Sequence, residues 1–367
     1  MHRPSLPRLR AALVLAFVAV LALSACSRRE TTDTPAAGSA GPSAAGTPAA
    51  EVRLGYFPNI THAPALIGVA NGYFQQELGS TKLTTQTFNA GPEEVSALLG
   101  SSLDAGFIGS GPAINAFAKS NGEAVRLVAG STSGGAQLVV APDITSPEQL
   151  NGKIIATPQA GNTQDIAFKK WLKENNLTNG TGPDAVTVQN IDNPRTLDLF
   201  KSGQIAGGWL PEPWSSRLVD AGGKVLVNEK SLWPDGKFPT TVLIVRTQFL
   251  QEHPQTVEAL LRAEQKSIDF ANSDQAQAKT VTNDAIKQLT NSALAPAVID
   301  RAFTELSFEI DPLAATFPQL AKDAVTAGVT EKETDLTGFV AVTPLNNVLT
   351  TAGKPTADAA GLDKAQG

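Results

Sequence analysis

The sequence predicts an α/β protein of two lobes with a ligand cleft between them. Three observations lead there. Short β-rich runs alternate with helical stretches along about 300 residues, enough chain for two separate cores. The strand–helix pattern starts afresh at Lys153. A β-branched run at 240–245 then carries the chain back to the first lobe, so two hinge crossings are expected, near residues 141 and 240.

In chain order, 52–57 reads as a strand that Pro58-Asn59 ends, and 63–76 as a helix. Residues 83–88 read as a strand, 93–99 as a helix, 105–108 as a strand, 112–119 as a helix and 124–129 as a strand. A strand at 137–141 leads into Ser146-Pro147-Glu148-Gln149-Leu150, a short capped helix with proline in its first turn. The second series has strands at 153–157, 185–189, 205–210 and 224–227, with helices at 163–174 and 194–201. Longer helices follow at 254–270, 274–289 and 296–306, the first with an apolar stripe of Val257, Leu260, Leu261 and Ile268. Lobe 1 is thus expected at 51–140 and 240–345 and lobe 2 at 141–239, with a disordered tail, small and polar, at 351–367.

The first residues carry Arg3, Arg8 and Arg10 and no acid, then an apolar run over 11–23 and Leu23-Ser24-Ala25-Cys26. That is the layout of a signal peptide over 1–25. The run is shorter than the roughly 20 apolar residues a membrane-spanning helix needs. Leu-Ser-Ala-Cys matches the lipobox of bacterial lipoproteins, and Cys26 is the only cysteine. Export is expected, with acyl chains on Cys26 anchoring the protein to the outer face of the cytoplasmic membrane, on its periplasmic side. Residues 26–50, rich in Ser, Thr, Ala, Gly and Pro, read as a flexible linker.

Composition excludes several classes. A single cysteine permits no intrachain disulfide. After residue 25 the only histidines are His62 and His253, far apart and without a ligand cluster, so neither a metal nor a cofactor is expected. Beyond residue 25, 26 basic residues face 35 acidic ones, a balance of −9 that argues against a nucleic-acid partner. A local site can still oppose that field and take an anion. No internal repeat is visible, and a monomer is expected.

In open α/β lobes ligands sit beyond the carboxyl ends of the strands. Four such places share small, polar, Gly-rich composition: Tyr56 to Pro64 with Thr61 as a helix cap, Gly109-Ser110-Gly111-Pro112, Ser131-Thr132-Ser133-Gly134-Gly135, and Gln159-Ala160-Gly161-Asn162-Thr163. Ordinary βα turns use the same residues, so one loop alone says little; four on two lobes point to a cleft. Facing helix N-termini would hold an anion there without any lysine or arginine. The segment Trp209-Leu210-Pro211-Glu212-Pro213-Trp214 adds two indoles, either as packing or as a platform. Glu212, between two prolines, would bond backbone amides or meet a ligand.

Together these residues resemble the substrate-binding lipoproteins of ABC importers in the nitrate, sulfonate and taurine group, which share a fold with thiamin-pyrimidine synthases. The likeness covers about residues 51 to 345, through Leu54-Gly55-Tyr56-Phe57-Pro58-Asn59, His62-Ala63-Pro64, Ala70-Asn71-Gly72-Tyr73-Phe74, Leu103-Asp104-Ala105-Gly106, Gly109-Ser110-Gly111-Pro112, Leu150-Asn151-Gly152-Lys153, Gly161-Asn162-Thr163 and Glu212-Pro213-Trp214. The resemblance implies a type II periplasmic-binding-protein-like fold and a receptor that delivers a small anion or organosulfur compound to an ABC permease with its ATPase. It implies polar contacts from Ser110, Ser133, Gly134, Asn162 and Thr163, with Phe57, His62 and Trp209 lining the cleft and Glu212 a further candidate. The alternative is thiamin-pyrimidine precursor binding, or a synthesis enzyme of that fold. That chemistry needs a pyridoxal-bearing lysine just after a Val-Asp-x-Gly strand and a cysteine-rich iron motif. Here Asp104-Ala105-Gly106-Phe107-Ile108-Gly109 carries no lysine, and Cys26 is the only cysteine.

Overall fold

The computed structural model describes residues 46–364; the expected signal peptide, Cys26 and most of the expected linker lie outside the described residues. The chain opens with β1 (Glu51–Tyr56), α1 (Ala63–Ala70), α2 (Tyr73–Leu78), β2 (Lys82–Thr87), α3 (Gly91–Leu99), β3 (Ala105–Ile108), α4 (Ser110–Lys119) and β4 (Val125–Gly134). It then forms β5 (Ala136–Val140), β6 (Ile154–Thr157), α5 (Thr163–Glu174), β7 (Thr178–Asn179), β8 (Ala185–Asn190), α6 (Asn193–Lys201), β9 (Gly207–Pro211), α7 (Trp214–Asp220) and β10 (Lys224–Asn228). It returns through β11 (Pro239–Arg246), α8 (Thr247–Glu252), α9 (Pro254–Ser273), α10 (Gln275–Thr290), α11 (Pro296–Thr304), β12 (Leu306–Phe308), α12 (Phe317–Thr326) and α13 (Thr343–Thr351).

Two six-stranded sheets result, ordered β2-β1-β3-β11-β4-β12 and β7-β8-β6-β9-β5-β10. In the first, β1 runs parallel to β2 and β3. Strand β11, arriving from the other lobe, lies antiparallel between β3 and β4. The second repeats the plan, with β6 parallel to β8 and β9, and β5 antiparallel between β9 and β10. Each sheet therefore takes one strand from the crossing, and parallel strand ends in both lobes face the same cleft.

The first crossing falls earlier than expected, while the second lies between β10 and β11, close to residue 240. Residues 131–134 have turn-like composition, yet they are strand, buried throughout, and β5 belongs to the second sheet. The first crossing is Gly134-Gly135, with φ of +79° and +75°, a left-handed backbone that glycine adopts without steric cost. The returning segment bonds to it: Gly134 N–H donates to Phe238 O (3.3 Å), Phe238 N–H to Ser133 Oγ (3.3 Å), and the Thr240 hydroxyl to Gly134 O. Helix 63–76 is also two helices, broken at Asn71-Gly72, where Gly72 has φ of +72°. The tail expected to be disordered packs instead. Ala357 and Ala359 are buried, and the Asn346 side chain supplies both hydrogen bonds that the Ala357 backbone requires. At the other end, the linker residue Ala49 is buried and its N–H donates to Thr256 Oγ1 (2.9 Å).

Asp104 pins three strands of lobe 1. It accepts from the Arg53 backbone (2.9 Å) and guanidinium (2.6 and 2.8 Å) and from Arg246 (2.9 Å). Burial alone would raise its pKa, but the bonds from Arg53 and Arg246 outweigh burial and hold it below the usual aspartate value. Asp104→Asn is expected to cost about 2 kcal/mol at neutral pH, less than a fully buried pair because Arg53 is partly exposed. The depressed pKa makes this stability present above the unfolded value of 3.8 and lost as pH falls through the folded one. Urea titration at pH 7 and pH 3 checks both the size and the sign.

Candidate functional site

The cleft is built from the first residues of helices. Gly91 opens α3, Gly109 and Pro112 flank the opening of α4, Asn162 caps α5, and Asn193 opens α6. All line one cavity of about 30 Å³ between the lobes. Phe57, Asn59, Thr61 and His62 close it from the turn after β1, and Thr240 and Thr241 from β11.

The geometry at α5 follows from its capping sequence. Asn162 Oδ1 accepts Asp165 N–H (3.0 Å), and Asp165 reaches back to Gly161 N–H (2.9 Å). Asp165 also holds Thr157 (2.8 Å), Asn190 (3.0 Å) and Lys169 (2.7 Å). Its lone pairs are spoken for, so it fixes the loop and leaves the helix N-terminus facing the cleft.

Among the described residues no Asp, Glu, Lys or Arg side chain lines the inner cavity. Its one titratable group is His62, whose pKa burial pushes down to about 3, so the ring is neutral at any working pH. His62 Nδ1 accepts the Phe57 N–H (3.3 Å). The neutral tautomer that can do so carries its proton on Nε2, a donor for the cavity. The positive ends of four helices and one imidazole N–H therefore converge on a cavity that, among the described residues, no charged side chain lines, with Asp165 and Glu93 set back in the first turns of α5 and α3.

The lobes are closed on one another. Gly111 N–H donates to Thr163 Oγ1 (3.2 Å), Gln159 to Glu93 Oε1 (3.1 Å), and Trp214 Nε1–H to Asn59 Oδ1 (3.1 Å). Of the sequence candidates, Phe57, His62, Asn162 and Thr163 come together at the cavity. Ser110 starts α4 but is wholly buried, its hydroxyl unpartnered among the described residues. Ser133 and Gly134 belong to the crossing, where their polar atoms bond Phe238 and Thr240.

Trp209 and Glu212 also lie elsewhere. Trp209 sits on the interior strand β9, which turns it into the lobe 2 core against Phe168 and Trp171 (centroids 5.9 and 6.1 Å), with its N–H on Glu229 (2.7 Å). Glu212 is fully buried beside the crossing, bonded to Arg301 (3.1 Å) and Ser216 N–H (3.2 Å). Sequence reading missed Gln164 and Asn193; Asn193 stands just before a proline at a helix start, the one signal that marked it.

The NMT1-like family model matches residues 45–284. The chain belongs to the NMT1-like family. Among curated relatives, the taurine-binding periplasmic protein of Escherichia coli (strain K12) is 29% identical over 203 residues, 54% of this NMT1-like chain and 60% of that protein. The match thus spans less than two thirds of that relative's length. Among solved structures, the alkanesulfonate-binding protein SsuA from Xanthomonas axonopodis pv. citri, bound to MOPS, superposes with a TM-score of 0.65 at 20% identity, covering 78% of this chain and 96% of that one. The periplasmic nitrate-binding protein NrtA from Synechocystis PCC 6803 gives 0.66 at 17% identity, covering 78% and 84%. These superpositions establish the two-lobed fold that the sequence resemblance implied.

Proposed function

We propose that this chain is an exported solute receptor that closes over a small anion, an organosulfonate foremost, and hands it to an ABC permease. The observation that carries the reading is the convergence of four helix N-termini on a neutral interlobe cavity without an acidic wall. The ligands named for the taurine-, alkanesulfonate- and nitrate-binding relatives are all compatible with such a site. An ammonium group entering it would lose water and gain no carboxylate, which favours plain sulfonates over taurine.

A receptor fits better than an enzyme. Among the described residues His62 is the cavity's one titratable group and, at a pKa of about 3, it exchanges no proton near neutrality. No helix among the described residues is long and apolar enough to cross a membrane. The lipobox-like Leu23-Ser24-Ala25-Cys26 supports attachment through lipid at Cys26, which a membrane-fractionation comparison with Cys26→Ser tests.

Thermal unfolding of the tag-free chain from residue 26, with ethanesulfonate, taurine, nitrate and methylphosphonate, checks the ligand class. At about 100 times Kd, a ligand adds about 2.7 kcal/mol. Ethanesulfonate is expected to raise the midpoint by roughly 5 °C or more, and taurine by less. No shift across the panel would overturn the anion reading.

A further inference from the structure

A second chamber of about 230 Å³ abuts the inner cavity, and the two share Asn59, Asn89 and Asn193 as a common wall. Like the cleft it is made by closure. Lobe 1 contributes Phe88, Ile286 and Leu294, and lobe 2 contributes Trp214 and Arg217. The Trp214–Asn59 bond crosses between lobes beside the wall. Among the described residues Arg217 is the only charged one lining the chamber.

Of the other arginines among the described residues, Arg126 lies over Phe117 and bonds backbone carbonyls, and Arg195 is exposed. Arg53, Arg246, Arg262 and Arg301 each meet a carboxylate. Arg217 is half-buried, stacked over the Trp214 ring (4.5 Å), and among the described residues its guanidinium meets neither a carboxylate nor a hydrogen-bond acceptor. Its guanidinium nitrogens remain open to solvent, so an anion entering the chamber can reach them without displacing a protein partner. Stacking fixes the guanidinium plane and leaves its in-plane N–H donors free for a bidentate acceptor.

We propose that the chamber is a subsite for a second acidic group, carried on the tail of a ligand whose head group occupies the inner cavity, with Arg217 as its cation. The proposal rests on the anion reading above and narrows it from simple anions to organic molecules acidic at both ends. The apolar walls would pack the carbon chain, and the Asn59–Asn193 partition would part to let it through.

Calorimetry of the chain from residue 26 tests this with two series, the propane-, butane- and pentane-1-sulfonates and their α,ω-disulfonates. At one chain length the disulfonate is expected to bind at least about 10-fold tighter, the gain of one charge-assisted contact. In Arg217→Met the ratio should fall to about one, and Arg217→Lys should restore part of it. Circular dichroism of both variants confirms folding. Monosulfonate binding with no gain at any length, or a gain that survives Arg217→Met, overturns the subsite while leaving the anion reading intact. Wild type binding neither series overturns both.

Discussion

Gly111→Val is expected to lower sulfonate affinity by about 10- to 100-fold while leaving each lobe folded. A Cβ at Gly111 would meet Ile166 Cδ1 at 3.1 Å and the Thr163 backbone Cα and N at 3.2 Å. All three atoms belong to α5 in the opposite lobe, so the collision exists only when the cleft is shut. Within its own lobe Gly111 is a helical residue with ordinary backbone angles, and replacing glycine in a helix costs nothing intrinsically. Forcing extra methyls against backbone costs about 1–3 kcal/mol, all of it charged to the closed state. Apparent affinity falls by the fraction of binding-competent molecules lost, which gives the stated range. Calorimetry with the sulfonate that gives the largest thermal shift measures it. Small-angle scattering of the ligand-bound variant should show a larger radius than wild type. An affinity within threefold of wild type would mean that binding does not need the closed approach of α4 to α5.

Much of this geometry is legible in the sequence because it depends on local chemistry. Gly109, Asn162 and Thr163 are marked by the change from strand to helix pattern, and the cap at Asn162 needs only Asp165 three residues on. What fails is whatever depends on sheet position. Trp209 looks like a platform beside prolines, but strand order places β9 inside its sheet and drives the indole into the core. Ser131 to Gly134 has turn composition, and only pairing with β11 and β12 makes it strand. Arg217 carries no motif beyond standing three residues after Trp214, the helical spacing for a stacked pair. That it lacks an acidic partner is a fact of three dimensions, and no local pattern encodes it.

The second large effect is expected at Arg301. This α11 residue reaches lobe 2, bonding Glu212 Oε1 (3.1 Å), Ser216 Oγ (2.7 Å) and Gln137 Oε1 (2.6 Å). Glu212 has no exposed side-chain surface and lies against Gly135 of the crossing, whose carbonyl accepts the Glu212 N–H (2.8 Å). Burial raises the Glu212 pKa above the usual 4.5, against the lowering pull of Ser215, Ser216 and Arg301. Removing the guanidinium in Arg301→Ala leaves a buried carboxylate with serine donors alone, and the folded pKa climbs further. The loss should reach about 3 kcal/mol at neutral pH, near the lower end for a broken buried pair. Its pH dependence identifies the cause. Between the unfolded pKa of 4.5 and the raised folded value, the unfolded chain has released a proton that the folded one keeps, so stability falls as pH rises. The deficit should therefore shrink toward pH 4.5 and grow toward neutrality, where a cavity effect would be flat. Adding Glu212→Gln to Arg301→Ala should recover most of the loss at pH 7, because a neutral amide needs no counter-charge. Urea titrations of the single and double variants at both pH values decide it: equal deficits at both, or no recovery in the double variant, would mean that Arg301 supports the crossing by packing rather than by its charge.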